Sequence, residues 1–194
     1  MKYFSLLIVF LLNLQAVQAQ EYENDSILIW NQNRELTWKD FKSDKIKQDQ
    51  FNAAGVSTGL FLIYKETSNQ NNEELMVFAL TLKKKSWVLK PSKKLLNHEQ
   101  THFNITELYA RKIRNEFENY VSENEVNDFE AIKNIYYKFQ IKRDSIQKIY
   151  DQEIREDWNN GRCNQKKWDR KVDSLLQVYK DYERNYTIED LEEE

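Results

Sequence analysis

A single cysteine, Cys163, excludes an intrachain disulfide framework, so packing or metal ligation has to hold the fold together. Three glycines and one proline exclude a turn-rich all-β fold and also argue against disorder. The formal charge of −3 leaves no basic surplus for nucleic acid. Beyond the first residues no apolar run is long enough to cross a membrane. Histidine is scarce too, with only two in the chain.

The N-terminus reads as an export signal. Lys2 supplies a positive start, Phe4 to Leu12 is apolar, and Val17-Gln18-Ala19 offers small residues for cleavage. Residues 1–19 are therefore expected to be a Sec-type signal peptide, with a periplasmic or extracellular product. Removing Lys2 takes the formal charge from −3 to −4. Residues 20–194 are expected to form one domain, since no repeat or composition break divides them.

The mature sequence opens with polar stretches that carry isolated anchors: Ile27, Ile29, Trp30, Leu36, Trp38 and Phe41. A short helical turn is expected near Thr37 or Asp40. The β-rich run from Phe51 to Tyr64, the polar cluster Thr67 to Asn72 and the run Leu75 to Leu82 predict an antiparallel hairpin. The lysines 83–85 read as a solvated strand end. Pro91-Ser92 then gives a helix start, because proline breaks the preceding segment and serine can cap the new helix. One helix is expected from Lys93 to about Tyr120, burying Leu95, Leu96, Phe103, Leu108, Ile113 and Phe117. A second is expected from Glu125 to about Asp151, burying Phe129, Ile132, Tyr136, Phe139, Ile146 and Ile149. A third is expected from Gln165 to about Tyr182, carrying Trp168, Val172, Leu175, Leu176, Tyr179 and Tyr182. The predicted fold is α+β: a small antiparallel sheet packed on the motif helix, with a helical C-terminal half.

Both histidines fall in His98-Glu99-Gln100-Thr101-His102, an HExxH motif. At about 100° per residue, positions i and i+4 share one helix face, so both imidazoles can reach one metal ion. Glu99 stands beside the first ligand, where its carboxylate can take a proton from a metal-activated water. Catalytic zinc commonly has three protein ligands and one open position. With no third histidine, the third ligand has to be a carboxylate or something weaker. Glu107 lies about 140° around the helix from His102 and about 180° from His98, so it cannot join them on a continuous helix. Acids farther along the chain, among them Glu116, Glu118, Glu130, Glu153 and Glu156, are the remaining candidates, and spacing alone does not choose between them.

Ser86-Trp87-Val88, followed by Leu95-Leu96-Asn97-His98-Glu99-Gln100-Thr101-His102-Phe103 and then Glu107 and Arg111, resembles a bacterial family of predicted secreted zinc-dependent proteases. That family is otherwise catalogued as a domain of unknown function. Its members show an HEQxHF core, a nearby glutamate and an arginine one turn on. Leu36-Thr37-Trp38-Lys39-Asp40-Phe41 resembles its opening element, so the likeness covers most of the chain. The family's downstream element resembles Tyr-Asp-x-Glu-Thr-x-His followed by Gln and Trp. Tyr150 to Glu156 matches its start, and Gln165 with Trp168 its end. Glu156 stands where the family has histidine, so the resemblance implies Glu156 as third ligand beside His98 and His102.

The resulting expectation is a zincin-like, exported, zinc-dependent peptidase acting on peptides or proteins, with Glu99 as general base. Glu107, Arg111 and Tyr150 are expected around the site as oxyanion donors or supports of the ligands, with Tyr109 as a further donor. Substrate is expected to add to the Leu75 to Leu82 strand as to a sheet edge. The competing expectation is a non-catalytic exported module that binds metal or a partner through a degenerate site.

Overall fold

The computed structural model describes residues 21–44, 53–66, 73–123, 128–160 and 164–192; the expected signal segment and Cys163 lie outside them. Five strands come first: β1 (Ile27–Ile29), β2 (Ala54–Gly55), β3 (Thr58–Glu66), β4 (Glu73–Leu82) and β5 (Trp87–Val88). Four helices follow: α1 (Lys93–Glu123), α2 (Phe129–Asn159), α3 (Gln165–Val178) and the short α4 (Ile188–Glu192). The architecture is α+β, a small antiparallel sheet followed by a helical half.

The larger sheet has the order β1-β4-β3, all antiparallel, with β3 and β4 in register from Thr58 opposite Thr81 to Glu66 opposite Glu73. Strand β4 is apolar on both faces because both are covered. Val77 and Ala79 pack with Leu60 against Ala110, Ile113 and Phe117 of α1 and Ile132 of α2. Met76, Phe78 and Leu80 face the other way, where Ile29 and the C-terminal Tyr186, Ile188 and Leu191 cover them. Each of the larger aliphatic, methionine or phenylalanine side chains taken out of water stabilises the fold by about 1.5–3 kcal/mol before entropy is counted.

The expected role of Leu75–Leu82 as an exposed edge is corrected here. β3 runs along one side of β4. On the other side β1 pairs at Leu80–Leu82, the Trp30 amide donates to Ala79 O, and Arg114 donates to Val77 O.

The lead-in is fastened by ions. Arg34 bonds Glu23 and Asp40 at 2.9 Å each, and Lys83 Nζ lies 2.6 Å from Glu23 Oε2. Lys84 and Lys85 are exposed as expected, but Lys83 is buried because this acid pair and Asn24 O receive it. The turn expected near Thr37 is present at Trp38–Asp40, where Asp40 Oδ2 accepts from the Thr37 amide at 2.7 Å. Burial pushes the Asp40 carboxyl upward, but Arg34 and the Thr37 amide outweigh it and hold it below its ordinary value.

Helix α1 starts as read from Pro91-Ser92, with Ser92 Oγ accepting from the Leu95 amide at 3.2 Å. It lies at the centre of the structure. Ala110, Ile113 and Phe117 meet the sheet, Phe103 meets Leu28, Leu36 and Phe41 of the lead-in, and Ile105 and Leu108 meet α2 and α3.

Helix α2 is capped by Asp128, whose side chain accepts from the Glu130 and Ala131 amides, and it runs eight residues beyond the expected end. It pairs with α1 in reverse order. Phe117 shares a cluster with Ile132, His102 meets Gln147, and His98 meets Asp151. Phe129 and Ile149, expected in the core, are about half exposed at 48% and 46%. Phe129 is the first residue of the helix and packs edgewise on Tyr64; Ile149 points outward because Ile146 and Tyr150 take the inward positions.

Candidate metal centre

The two motif histidines bring their Nε2 atoms to 3.1 Å from each other on one face of α1. Asp151 of α2 completes the group: its Oδ1 lies 2.8 Å from His102 Nε2 and 3.2 Å from His98 Nε2. Among the described residues this is the one group of three or more metal-ligating side chains so converged. Ligands about 2.0–2.1 Å from a tetrahedral ion stand about 3.3 Å apart, close to the sides of this triangle. The arrangement fits a small divalent metal, and two imidazoles with one carboxylate are a donor set used in zinc chemistry. Non-haem ferrous sites use the same set.

Glu156, expected as third ligand, is not part of the group. It is exposed, and its Oε1 accepts from Gln152 Nε2 at 3.0 Å. Five residues along α2 turn the chain by about 140°, so the face that presents Asp151 turns Glu156 away. Among the other acids considered, Glu116 and Glu118 pair with Lys138 and Arg184, and Glu153 accepts from Trp168 Nε1.

Two residues missed in the sequence support the histidines. Gln147 Nε2 donates to His102 O at 2.9 Å and to Thr106 Oγ1 at 3.2 Å, which turns its Oε1 towards His102 Nδ1. Holding the proton on Nδ1 leaves the Nε2 lone pair for a metal. Asp169 accepts from Thr101 Oγ1 and Gln165 Nε2, both at 2.8 Å, and from Asn97 Nδ2 at 3.1 Å. That set braces the helix turn that carries both histidines. The spacing of Gln147 from Asp151, one helical turn, was the available signal; its meaning depended on knowing that α2 faces the motif.

Tyr150, expected as an oxyanion donor or a support of the ligands, lies against His98. Its ring stacks on the imidazole, with centroids 4.7 Å apart and planes 20° apart. Its hydroxyl donates towards Gln165 Oε1 at 2.9 Å and lies 3.3 Å from His98 O. Burial pushes the phenol well above its usual range.

Glu107 and Arg111, also expected near the site, form a separate buried network. Glu107 Oε1 accepts from Arg111 Nε at 2.9 Å and Arg114 Nη1 at 3.0 Å. The arginines continue to Leu176 O, Glu183, Tyr182 O and Val77 O, so this network ties α1 to the C-terminal segment and the sheet. The half-turn between these positions and the histidines explains the separation. Tyr109, the further expected donor, lies two helical turns beyond His102 on the same face of α1 and packs into the clusters that join α1 to α2.

Glu99 is 3% exposed, and its Oε2 accepts from the Val56 amide at 2.8 Å. Next to Val56, Gly55 leaves room for the indole of its cross-strand partner: a Cβ there would come within 2.9 Å of Trp87 Nε1. Val56 fixes one carboxylate oxygen of Glu99. A cleft of about 380 Å³ opens over the histidines, walled by residues 54–58 on one side and by Arg143, Gln147 and Asp151 on the other.

Searches of protein-family models, curated proteins and solved structures found no match to the chain. The functional reading therefore rests on the residues themselves.

The electrostatics agree with the geometry. Burial pushes His102 towards the neutral form, but the hydrogen bond and charge of Asp151 outweigh it and raise the ring's pKa. Burial likewise pushes Asp151 up, and the two histidines overturn it, holding the carboxylate ionised far below its usual range. Perturbed titratable groups that share a cleft are candidates for a functional site. Among the described residues no helix is long and apolar enough to cross a membrane.

Proposed function

We propose that this protein is an exported zinc-dependent peptidase with a zincin-like site in which His98, His102 and Asp151 hold the metal. The single observation that carries the reading is Asp151 Oδ1 meeting both histidine Nε2 atoms beside a glutamate at the motif's second position. When bound, zinc supplies Lewis acidity that polarises a carbonyl and lowers the pKa of a water towards about 7.

The chain's own residues provide the rest. Glu99, anchored through Oε2 by the Val56 amide, keeps Oε1 to take a proton from the attacking water and return it to the leaving amine. Gln147 holds His102 in the ligating tautomer, and Tyr150 holds the His98 ring in place. The cleft between residues 54–58 and α2 would take an extended peptide with its scissile carbonyl over the histidines. The likeness to predicted secreted zinc-dependent proteases and the N-terminal export signal point the same way.

Incubating zinc-loaded protein with a mixed peptide library, and reading the products by mass spectrometry, tests the proposal. Cleavage that is abolished by a chelator and by Glu99→Gln is the expected result. Stoichiometric zinc without any cleavage would return the site to a metal- or partner-binding module.

A further inference from the structure

Among the described residues Arg143 is the one arginine or lysine in the wall of the cleft, and it is only 8% exposed. It lies on the α2 face that also presents Gln147 and Asp151, at intervals of four residues. Its Nε and Nη2 both donate to a single oxygen, Oδ1 of Asp144. Its Nη1 is buried and has no acceptor among the described residues. A guanidinium carries five N–H groups, so both protons of Nη1 and one of Nη2 remain along the end of the fork. A buried donor left unmatched is costly, and native structures keep one only where something else supplies the acceptor. The fork's open end matches a carboxylate, which can take two parallel N–H bonds. Asp144, which also lines the cleft and has a side chain 51% exposed, holds Arg143 from the opposite edge and leaves that end of the fork open.

Resting on the peptidase reading, we infer that Arg143 is a specificity determinant that binds a carboxylate of the substrate. Eight residues of helix separate Arg143 from Asp151, a rise of about 12 Å. An extended peptide covers that distance in about three or four residues. The substrate's carboxylate therefore sits three or four residues from the scissile bond, as a chain end or as an acidic side chain. Arg143 makes no contact with the metal-ligating atoms and acts on binding alone.

The test measures dissociation constants of N-acetylated alanine peptides of three to five residues, as free acids, as C-terminal amides, and as amides with one glutamate. The full chain carries Glu99→Gln to prevent turnover and is measured both zinc-loaded and chelator-treated, with zinc content determined on the same samples. A charge-assisted hydrogen bond predicts acids binding about ten- to a hundredfold tighter than amides. That preference disappears in Arg143→Gln and grows in Asp144→Asn, an exposed change that leaves the fold intact if Arg143→Gln does not. Preference for the free acid assigns a chain end, and preference for the glutamate amide assigns a side chain; either supports the inference. Equal binding of acids and amides, no binding of any peptide, or a preference that survives Arg143→Gln overturns it. Zinc content reports on the metal site separately, because the acid preference is scored with and without the ion.

Discussion

Asp151 Oδ1 lies 2.8 Å from His102 Nε2 although 49 positions of sequence separate the two residues. The antiparallel pairing of α1 and α2 makes the contact, with the same register that puts Gln147 beside His102 and Ile132 beside Phe117. Helix α2 therefore supplies Asp151 to the candidate metal group, the Gln147 contact to His102 and one wall of the cleft.

Replacing Gln147 tests the support. Gln147→Leu removes the acceptor for His102 Nδ1 and both donor bonds of the amide. Metal affinity is expected to fall about 10- to 100-fold with helicity unchanged. Competition titration against a chromophoric chelator reads this; unchanged affinity would mean that Gln147 does not support the ligand.

Tyr150→Phe separates support from catalysis. The change leaves Gln165 Oε1 without its buried donor, at a cost of about 1–3 kcal/mol. Thermal and denaturant unfolding should show this loss while zinc stoichiometry stays at the wild-type value. A variant of wild-type stability that had lost peptide hydrolysis would instead make the phenol an oxyanion donor.

Glu107→Gln is expected to act on stability without touching the site. It leaves Arg111 and Arg114 buried beside a neutral amide, and breaking such a cluster costs about 3–5 kcal/mol. Denaturant unfolding measures the loss. Zinc content per folded molecule should not change, and a parallel loss of zinc would tie Glu107 to the metal after all.

Acid should loosen the lead-in first. In the folded chain Asp40 and Glu23 titrate below their ordinary values of 3.8 and 4.5. In both, burial works upward and is outweighed, by Arg34 for each and by Lys83 in addition for Glu23. The unfolded chain therefore binds more protons in this range, so stability rises with pH there. The contribution is complete above the unfolded values and is lost as pH falls through the folded ones. Asp40→Asn should flatten this acid limb of a stability–pH curve; an unchanged limb would contradict the assignment.

Much of the scaffold was legible because local signals and packing agree. Ser92 caps α1 where Pro91 forces a break, and the apolar periodicity of Leu95, Phe103, Ile113 and Phe117 marks its buried faces. The hairpin was visible as two β-rich runs around a polar loop. The place of Asp151 beside the histidines was not legible, because it depends on how far along each other two long helices pair. In the observed register Asp151 meets His98, and Glu156 falls beyond the motif on another face. The edge assignment for β4 failed for a similar reason: the partners on its second side, Ile27–Ile29, Trp30 and Arg114, lie far away in sequence. An apolar run shows that a strand is buried without showing what lies beside it.

Elemental analysis of metal-replete protein tests the central claim most directly, comparing wild type, Glu99→Gln, Asp151→Ala and Glu156→Ala. Near-stoichiometric zinc in wild type, Glu99→Gln and Glu156→Ala, with its loss in Asp151→Ala, is the predicted result. Zinc retained by Asp151→Ala, or absent from wild type, would contradict the metal centre built on His98, His102 and Asp151.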